Sequence, residues 1–358
     1  MKTEESRCKP TALVLGTLFL CVGLLPGYGF SQTPFYQGKT ITIIQGRSPG
    51  GTGDMRVRAV IPLLQKYIPG KPTVVSEFMS GGGGRKAANY MYRQARPDGL
   101  TMANIGEGFV TNAVLGESGV QYDVDKFIYL GSGNSRTNYV FHTVKEAKAD
   151  TLERLRAATG IRIGGQAVGH SIYIVGRLFA WLLELKEPKF VIGYSGPEID
   201  AAMLRGEVDA RAQVTEDIPR RNPEWFDKGT MHWHAMLEIP KGYRFRHPVF
   251  DKVPALDIFA KTDRERKALT MARNFRLIGS PFILPPGTPK EQVEILEQAM
   301  RKTFKDPEFG ASMLKFAGAE ASPLMPEEQT AAIRDIPRDP EIINVYKKLA
   351  GAGPLPPR

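Results

Sequence analysis

The chain has 358 residues, enough to bury a sizeable core, and its ordinary apolar content excludes a disordered protein. Its formal net charge is +10, but the Lys and Arg residues are scattered without a run, which points to small anions rather than nucleic acid as partners. Both cysteines, Cys8 and Cys21, fall in the first 31 residues.

Those 31 residues read as a signal peptide. Lys2, Arg7 and Lys9 form a basic start, Thr11 to Leu25 an apolar run, and Gly29-Phe30-Ser31 offers small residues before a cut ahead of Gln32. A membrane anchor is the alternative, but the run is shorter than a span needs. Leu20 is too large for a lipoprotein cut ahead of Cys21. Cleavage removes three bases and two acids, leaving +9, and it removes every thiol. Thiol catalysis and thiolate metal binding are then excluded.

Beyond residue 31 the pattern alternates short strands with amphipathic helices, the signature of α/β units. TITIIQG, Thr40 to Gly46, is a β-branched buried strand, and apolar positions from Met55 to Tyr67 recur at helical spacing. TVVSEF (Thr73 to Phe78) is a second strand, SGGGG a second glycine loop, and Ala87 to Arg93 a helix. RPDG, Arg96 to Gly99, is a turn, and LTMANIG a third strand running into Gly106-Glu107-Gly108. A second unit begins with the strand and loop of Ile161 to Ser171. The helix SIYIVGRLFAWLLEL follows, apolar on most sides. KFVIGYSG is strand then loop, with Pro197 in the first turn of a helix. EVDARAQV alternates Val208, Ala210, Ala212 and Val214, as a half-buried strand does. RLIGSPFILPP, Arg276 to Pro286, reads as a strand carrying the chain back to the first unit. Thr288, Pro289 and Glu291 then read as a capping box.

The stretch SPGGTGD comprises Ser48, Pro49, Gly50, Gly51, Thr52, Gly53 and Asp54 between a strand and a helix. Loop N–H groups and a helix N-terminus there concentrate positive partial charge for an anion, and Asp54 at the helix start reads as structural. It is neither a P-loop nor a dinucleotide fingerprint, since Gly-Lys-Ser/Thr and the third glycine are missing. Gly-His-Ser at Gly169–Ser171 lacks the last glycine of a nucleophile elbow, having Tyr173 there. His232 and His234 share a face if extended but have no evident third zinc ligand, so no metal and no cofactor is expected. PRRNPEW (Pro219 to Trp225) and YRFRHP (Tyr243 to Pro248) mix bases with aromatics and read as solvated surface.

From about Gly38 to Gly351 the chain resembles the extracytoplasmic solute-binding receptors of tripartite tricarboxylate transporters, the Bug family. The marks are PGGTGD, GGGG, RPDGLTM, GYSGPEIDAAMLRGEVD and PPGTPKEQVEILEQAM, followed by DPEF and AGAE, in that order. The resemblance implies a type II periplasmic-binding-protein fold of the α/β class. Its lobes would comprise 38–136 plus 277–358 and 137–276, around a cleft for a small organic acid. Carried over by position, the ligand loops are Ser48 to Asp54; Gly106 and Glu107; Val168, Gly169, His170 and Ser171; and Tyr194, Ser195 and Gly196. The resemblance also implies a monomeric periplasmic protein that delivers its ligand to membrane permease subunits, with no enzymatic activity. Rival readings are a secreted serine hydrolase using Ser171 with His170, and a receptor that presents its ligand to a sensor kinase. Three departures from the family pattern stand out: Val168 to Tyr173, Gln213 to Arg221, and an acid at Glu107.

Overall fold

The computed structural model describes residues 33–227 and 229–358; the expected signal peptide lies outside them. Tyr36–Arg358 forms one compact unit. The strands are β1 Thr40–Gln45, β2 Thr73–Phe78, β3 Thr101–Asn104, β4 Ile128–Tyr129, β5 Thr137–Val144, β6 Arg162–Gly164, β7 Lys189–Val191, β8 Ala210–Val214, β9 Met231–Ile239 and β10 Phe282–Leu284. The helices are α1 Thr52–Tyr67, α2 Arg85–Arg93, α3 Gly108–Val114, α4 Leu152–Ala157, α5 Ser171–Leu182, α6 Gly196–Leu204, α7 Ile218–Arg221, α8 Glu224–Asp227, α9 Asp263–Ile278, α10 Lys290–Lys305, α11 Pro307–Ala317, α12 Pro326–Arg334 and α13 Pro340–Ala350.

Two five-stranded sheets result, in the orders β2-β1-β3-β10-β4 and β7-β6-β8-β5-β9. In the first, β1 runs parallel to β2 and β3 while β10 runs antiparallel to β3 and β4. In the second, β6 is parallel to β7 and β8, and β5 is antiparallel to β8 and β9. β1 is central and covered by helices, so Ile41, Ile43 and Ile44 are all buried despite pointing to opposite faces.

The chain passes between the sheets twice, from β4 to β5 and from α9 to β10, and the two passages lie side by side. The N–H of Ser280 donates to the Ser132 hydroxyl at 3.3 Å. A third segment braces them: Ser132 and Leu324 exchange backbone hydrogen bonds of 3.0 and 2.8 Å, and the N–H of Ser135 donates to the Ser322 carbonyl at 2.9 Å. Helix α13 packs on α9 and α5. There Tyr173 donates to the Gly351 carbonyl at 2.9 Å, and the buried Arg177 to those of Lys348 and Gly353 at 3.1 and 2.6 Å.

Several local expectations are corrected. Arg276 to Ile278 do not begin a strand but finish α9, leaving only Phe282–Leu284 extended. Thr288 is not a cap: α10 begins after Pro289, and the Thr288 hydroxyl donates to the Pro285 carbonyl at 2.9 Å. Strand β8 is buried on both faces, because Arg211 is neutralised internally by Asp200 beneath α6. The two base-and-aromatic stretches are not solvated surface. Trp225 is 1 % exposed, and Arg244 pairs with Glu238 at 2.7 Å.

Candidate ligand-binding cleft

The strand β1 delivers Arg47 and the glycine loop to the edge of the first sheet. The Arg47 guanidinium donates to Asn104 Oδ1 at 2.7 Å and lies across Gly53, where a Cβ would fall 1.7 Å from Nη1. Glycine at 53 is therefore what lets the cation cross the loop. Asp54 is fully buried at the third helical position of α1. It accepts from the Gly50 N–H and from Gln45 Nε2, both at 2.9 Å, and from Arg58 at 3.1 Å. Burial pushes its carboxyl up, but these donors pull it further down, below the usual range. Asp54 thus ties the loop to β1 and has no acceptor left over for a ligand.

A cavity of about 570 Å³ opens between the two sheets against their crossing segments. Arg56 of α1, Glu107 and Ser280 contribute from the first sheet's side, Tyr139, Glu216, Tyr243 and Phe245 from the second's, and Arg276 from α9. Ser135, 3 % exposed on the first crossing, lines it with no partner for its hydroxyl.

Arg56 carries the electrostatic signature of an anion site. Among the described residues it forms no hydrogen bond or ion pair, and its Nε is buried without a partner. Burial, then the charge of Arg276, lowers its pKa from the ordinary value. Burial and Arg56 together bring Arg47 down to about 10. Arg276 differs: burial opposes its charge, but the Glu107 carboxylate, Tyr139 and Tyr346 together outweigh burial and raise its pKa. Arg47 thus feels Arg56 and Arg56 feels Arg276, and all three guanidinium groups lie in the field of the Glu107 carboxylate, with Asp54 acting on Arg47 and Asp217 on Arg56 as well. A buried cation short of a counter-ion gains most from an incoming anion.

Of the residues anticipated from sequence, Glu107 alone lines this cavity. Gly106 precedes it, and Glu107 heads α3. Ser48, Pro49, Gly50 and Gly51 lie exposed before α1, and Thr52 begins it. Val168 and Gly169 are exposed in the turn before α5. His170 is the N-cap of α5, its Nδ1 accepting from the Ile172 N–H at 3.3 Å, and Ser171 is the first helical residue. Burial and then the charge of Arg276 lower the His170 pKa, so this loop lies in the field of the arginine cluster. No hydrogen bond joins His170 to Ser171 among the described residues. Tyr194 donates to Glu207 Oε2 at 3.0 Å, the N–H of Ser195 donates to Glu198 Oε2 at 2.6 Å in a capping box, and the Gly196 carbonyl accepts from Arg211 at 2.8 Å. The three are engaged within their own half of the molecule.

His232 and His234 are separated by burial. His234 bonds Thr143 Oγ1 at 2.9 Å inside the core, while His232 is half-buried at the edge strand. Among the described residues no group of three or more metal-ligating side chains is found. Arg56, Arg276, Tyr139 and Glu216 escaped the sequence reading. Arg56 sits two residues after the anticipated loop, near the start of α1, where a charged side chain is normally solvent-exposed. Arg276 was hidden by the mistaken strand.

No family model matches the chain, and no curated protein matches it. Solved structures do. A TctC solute-binding protein from Polaromonas superposes with a TM-score of 0.62 at 19% identity, over 88% of this chain and 98% of that one. The periplasmic binding protein BugD gives 0.54 at 19% identity, over 88% and 98%. MatC from Rhodopseudomonas palustris, solved with bound malate, gives 0.52 at 19% identity, over 87% and 99%. The chain has the fold of a periplasmic solute-binding protein. This is the two-lobed α/β architecture that the resemblance implied, and the cavity lies between the sheets of its two halves. Among the described residues of this binding-protein fold, no helix is long and apolar enough to cross a membrane.

Proposed function

We propose that this protein is a periplasmic receptor that captures a small organic acid and passes it to the membrane permease of a tripartite tricarboxylate-type transporter. The observation that carries the reading is Arg56, a part-buried guanidinium without a counter-ion on the wall of the cavity. A carboxylate supplies the missing charge, and Arg presents a fork that matches it. The fold supports carriage rather than turnover, and one protein sharing it was solved with malate bound. Residues 1–31 act as the export signal, leaving a monomer.

In this reading Arg56 and the amides of Ser48 to Gly53 hold the carboxylate from the first lobe. The Gly106–Glu107 turn and the turns at Val168–Ser171 and Tyr194–Gly196 close over it. The lobes, divided at residues 136/137 and 276/277, hinge about the paired crossings. The test is a calorimetric and thermal-shift screen of the purified protein against mono-, di- and tricarboxylates. A ligand at 100 times Kd adds roughly 2.7 kcal/mol of stability. Arg56→Met, which keeps the side chain's length without its charge, is expected to weaken binding by about tenfold or more at an unchanged melting temperature of the empty protein. Equal affinity in the folded variant, or no carboxylate bound by the wild type, overturns the reading.

A further inference from the structure

A buried polar atom without a hydrogen-bond partner costs free energy until something satisfies it. Among the described residues, three such side-chain atoms belong to residues lining the cavity between the sheets: Arg56 Nε, Arg276 Nε and Ser135 Oγ. The two guanidinium nitrogens can only donate, and a serine hydroxyl can donate as well. The unpartnered buried atoms that can only accept, on Gln45, Gln292 and Gln329, belong to residues outside this wall. The wall is therefore short of acceptors, which the oxygens of an anion supply. Its acids are engaged or solvated: Glu107 is bound to Arg276, Asp217 to Arg221 and Glu216 to Thr215, while Glu320 is exposed, as is Arg136.

Ser135 is the uncharged member of the three and is 3 % exposed. Its N–H donates to the Ser322 carbonyl at 2.9 Å and to Ser322 Oγ at 3.2 Å, which fixes the backbone of the first crossing and leaves the hydroxyl over. Gly279 of the second crossing lies against it, since a Cβ at 279 would fall 2.9 Å from Ser135 Oγ, and Gly279 lines the same cavity. Arg56 also meets this crossing: a crevice that shares Arg56, Asn134 and Ser280 with the cavity is lined by Ser132 as well. Ser132 is the contrasting case. Its hydroxyl accepts from the Ser280 N–H at 3.3 Å and donates to the Asn134 carbonyl at 3.4 Å, so it is spent on holding the crossings together.

We propose that Ser135 contacts the ligand, its hydroxyl donating to the same carboxylate that Arg56 pairs with, so that the anion is seated against the paired crossings. This rests on the carboxylate-receptor reading and adds a determinant of that same site. A hydroxyl that is unsatisfied in the empty protein and satisfied in the complex contributes to binding rather than to folding.

The experiment uses acetate, malate, adipate, citrate and benzoate as probes in calorimetry, with thermal unfolding of the empty protein alongside. The probe that binds wild type most tightly is then titrated into Ser135→Ala and Ser132→Ala. Ser135→Ala is expected to melt at the wild-type temperature or above it, and to bind about fivefold or more weakly. Ser132→Ala is expected to melt lower and to keep its affinity within about twofold. In Arg56→Met the further loss caused by Ser135→Ala is expected to shrink to about twofold or less, because the two side chains hold one group. Unchanged affinity in Ser135→Ala, with binding weakened in Arg56→Met, overturns the proposal and leaves the carboxylate reading standing. Fully additive losses in the double variant overturn it too. Failure of all five probes to bind overturns both readings. Ser135→Cys, which keeps the volume and weakens the donor, applies the same test if the alanine variant does not fold.

Discussion

Glu107 at the head of α3 and Arg276 in the last turn of α9 form an ion pair across the cleft. A turn of the first sheet is thereby joined to the helix that leads the chain back from the second. The sequence reading singled out Glu107 as an acid in a place where the resemblance expects a small residue. Its effect is to occupy one of three clustered guanidinium groups, leaving Arg56 open.

From this pairing follows a change of charge preference. In Glu107→Gln the Arg276 guanidinium is released into the cavity, so the site presents two open cations. Affinity for a dianion such as adipate is expected to rise by about tenfold, or about 1.4 kcal/mol, and more than affinity for hexanoate. Titration calorimetry on wild type and variant checks this. A fall in adipate affinity would mean that Glu107 is protonated in the complex and donates to the ligand.

Asp54 and Gly51 separate structure from binding within one loop. Asp54→Asn puts an amide against the Gly50 N–H and the Gln45 and Arg58 donors, and should lower the unfolding free energy by about 1–3 kcal/mol without altering carboxylate affinity. Gly51 has ordinary backbone angles, and a Cβ there meets nothing within 4 Å. Gly51→Val should therefore leave urea unfolding unchanged while weakening binding by about tenfold, if the loop amides approach the ligand. Swapped effects would place the Asp54 carboxylate at the ligand.

Two core histidines set the acid side of the stability profile. Burial, with Arg211 nearby, holds His142 at about 3, and burial with His232 nearby holds His234 at about 4. Between pH 6.5 and 5 both stay neutral in the fold and take up protons once unfolded. Stability is then full above pH 6.5 and falls with pH, by up to about 1.4 kcal/mol per unit for each histidine. Glu265 and Asp306, held at about 2, lose their contributions only below about pH 4. Urea titrations of His142→Gln between pH 7 and 5 should show about half the wild-type slope. An unchanged slope would assign the loss to other groups.

Gly279 tests the paired crossings. Its φ is +63°, and a Cβ would fall 2.5 Å from the Asn134 carbonyl oxygen and 2.9 Å from Ser135 Oγ. Gly279→Ala combines a strained backbone with contact against the other crossing, so a loss of about 1–3 kcal/mol is expected in chemical denaturation. Wild-type stability would show that the crossings separate at no cost.

Much of the fold was legible in the residues because short-range physics decides it. The β-branched run from Thr40 to Gln45, the TVVSEF strand and the Asp98-Gly99 turn settle locally, from alternation and turn chemistry. So did the structural role of Asp54, a carboxylate in the first turn of a helix. The cavity between the sheets was not legible, because long-range placement decides it. Arg276 matters only because α9 extends one turn past the expected boundary and ends opposite Glu107, 169 residues away in sequence. Arg211 and Trp225 read as solvent-facing until α6 and the neighbouring aromatic rings cover them. Arg56 looks like an ordinary helix-surface cation, and only the assembled walls of the cavity remove the water that would otherwise screen its charge. Local sequence sets each element's form; the dielectric around a side chain and the partner it meets belong to the assembled fold.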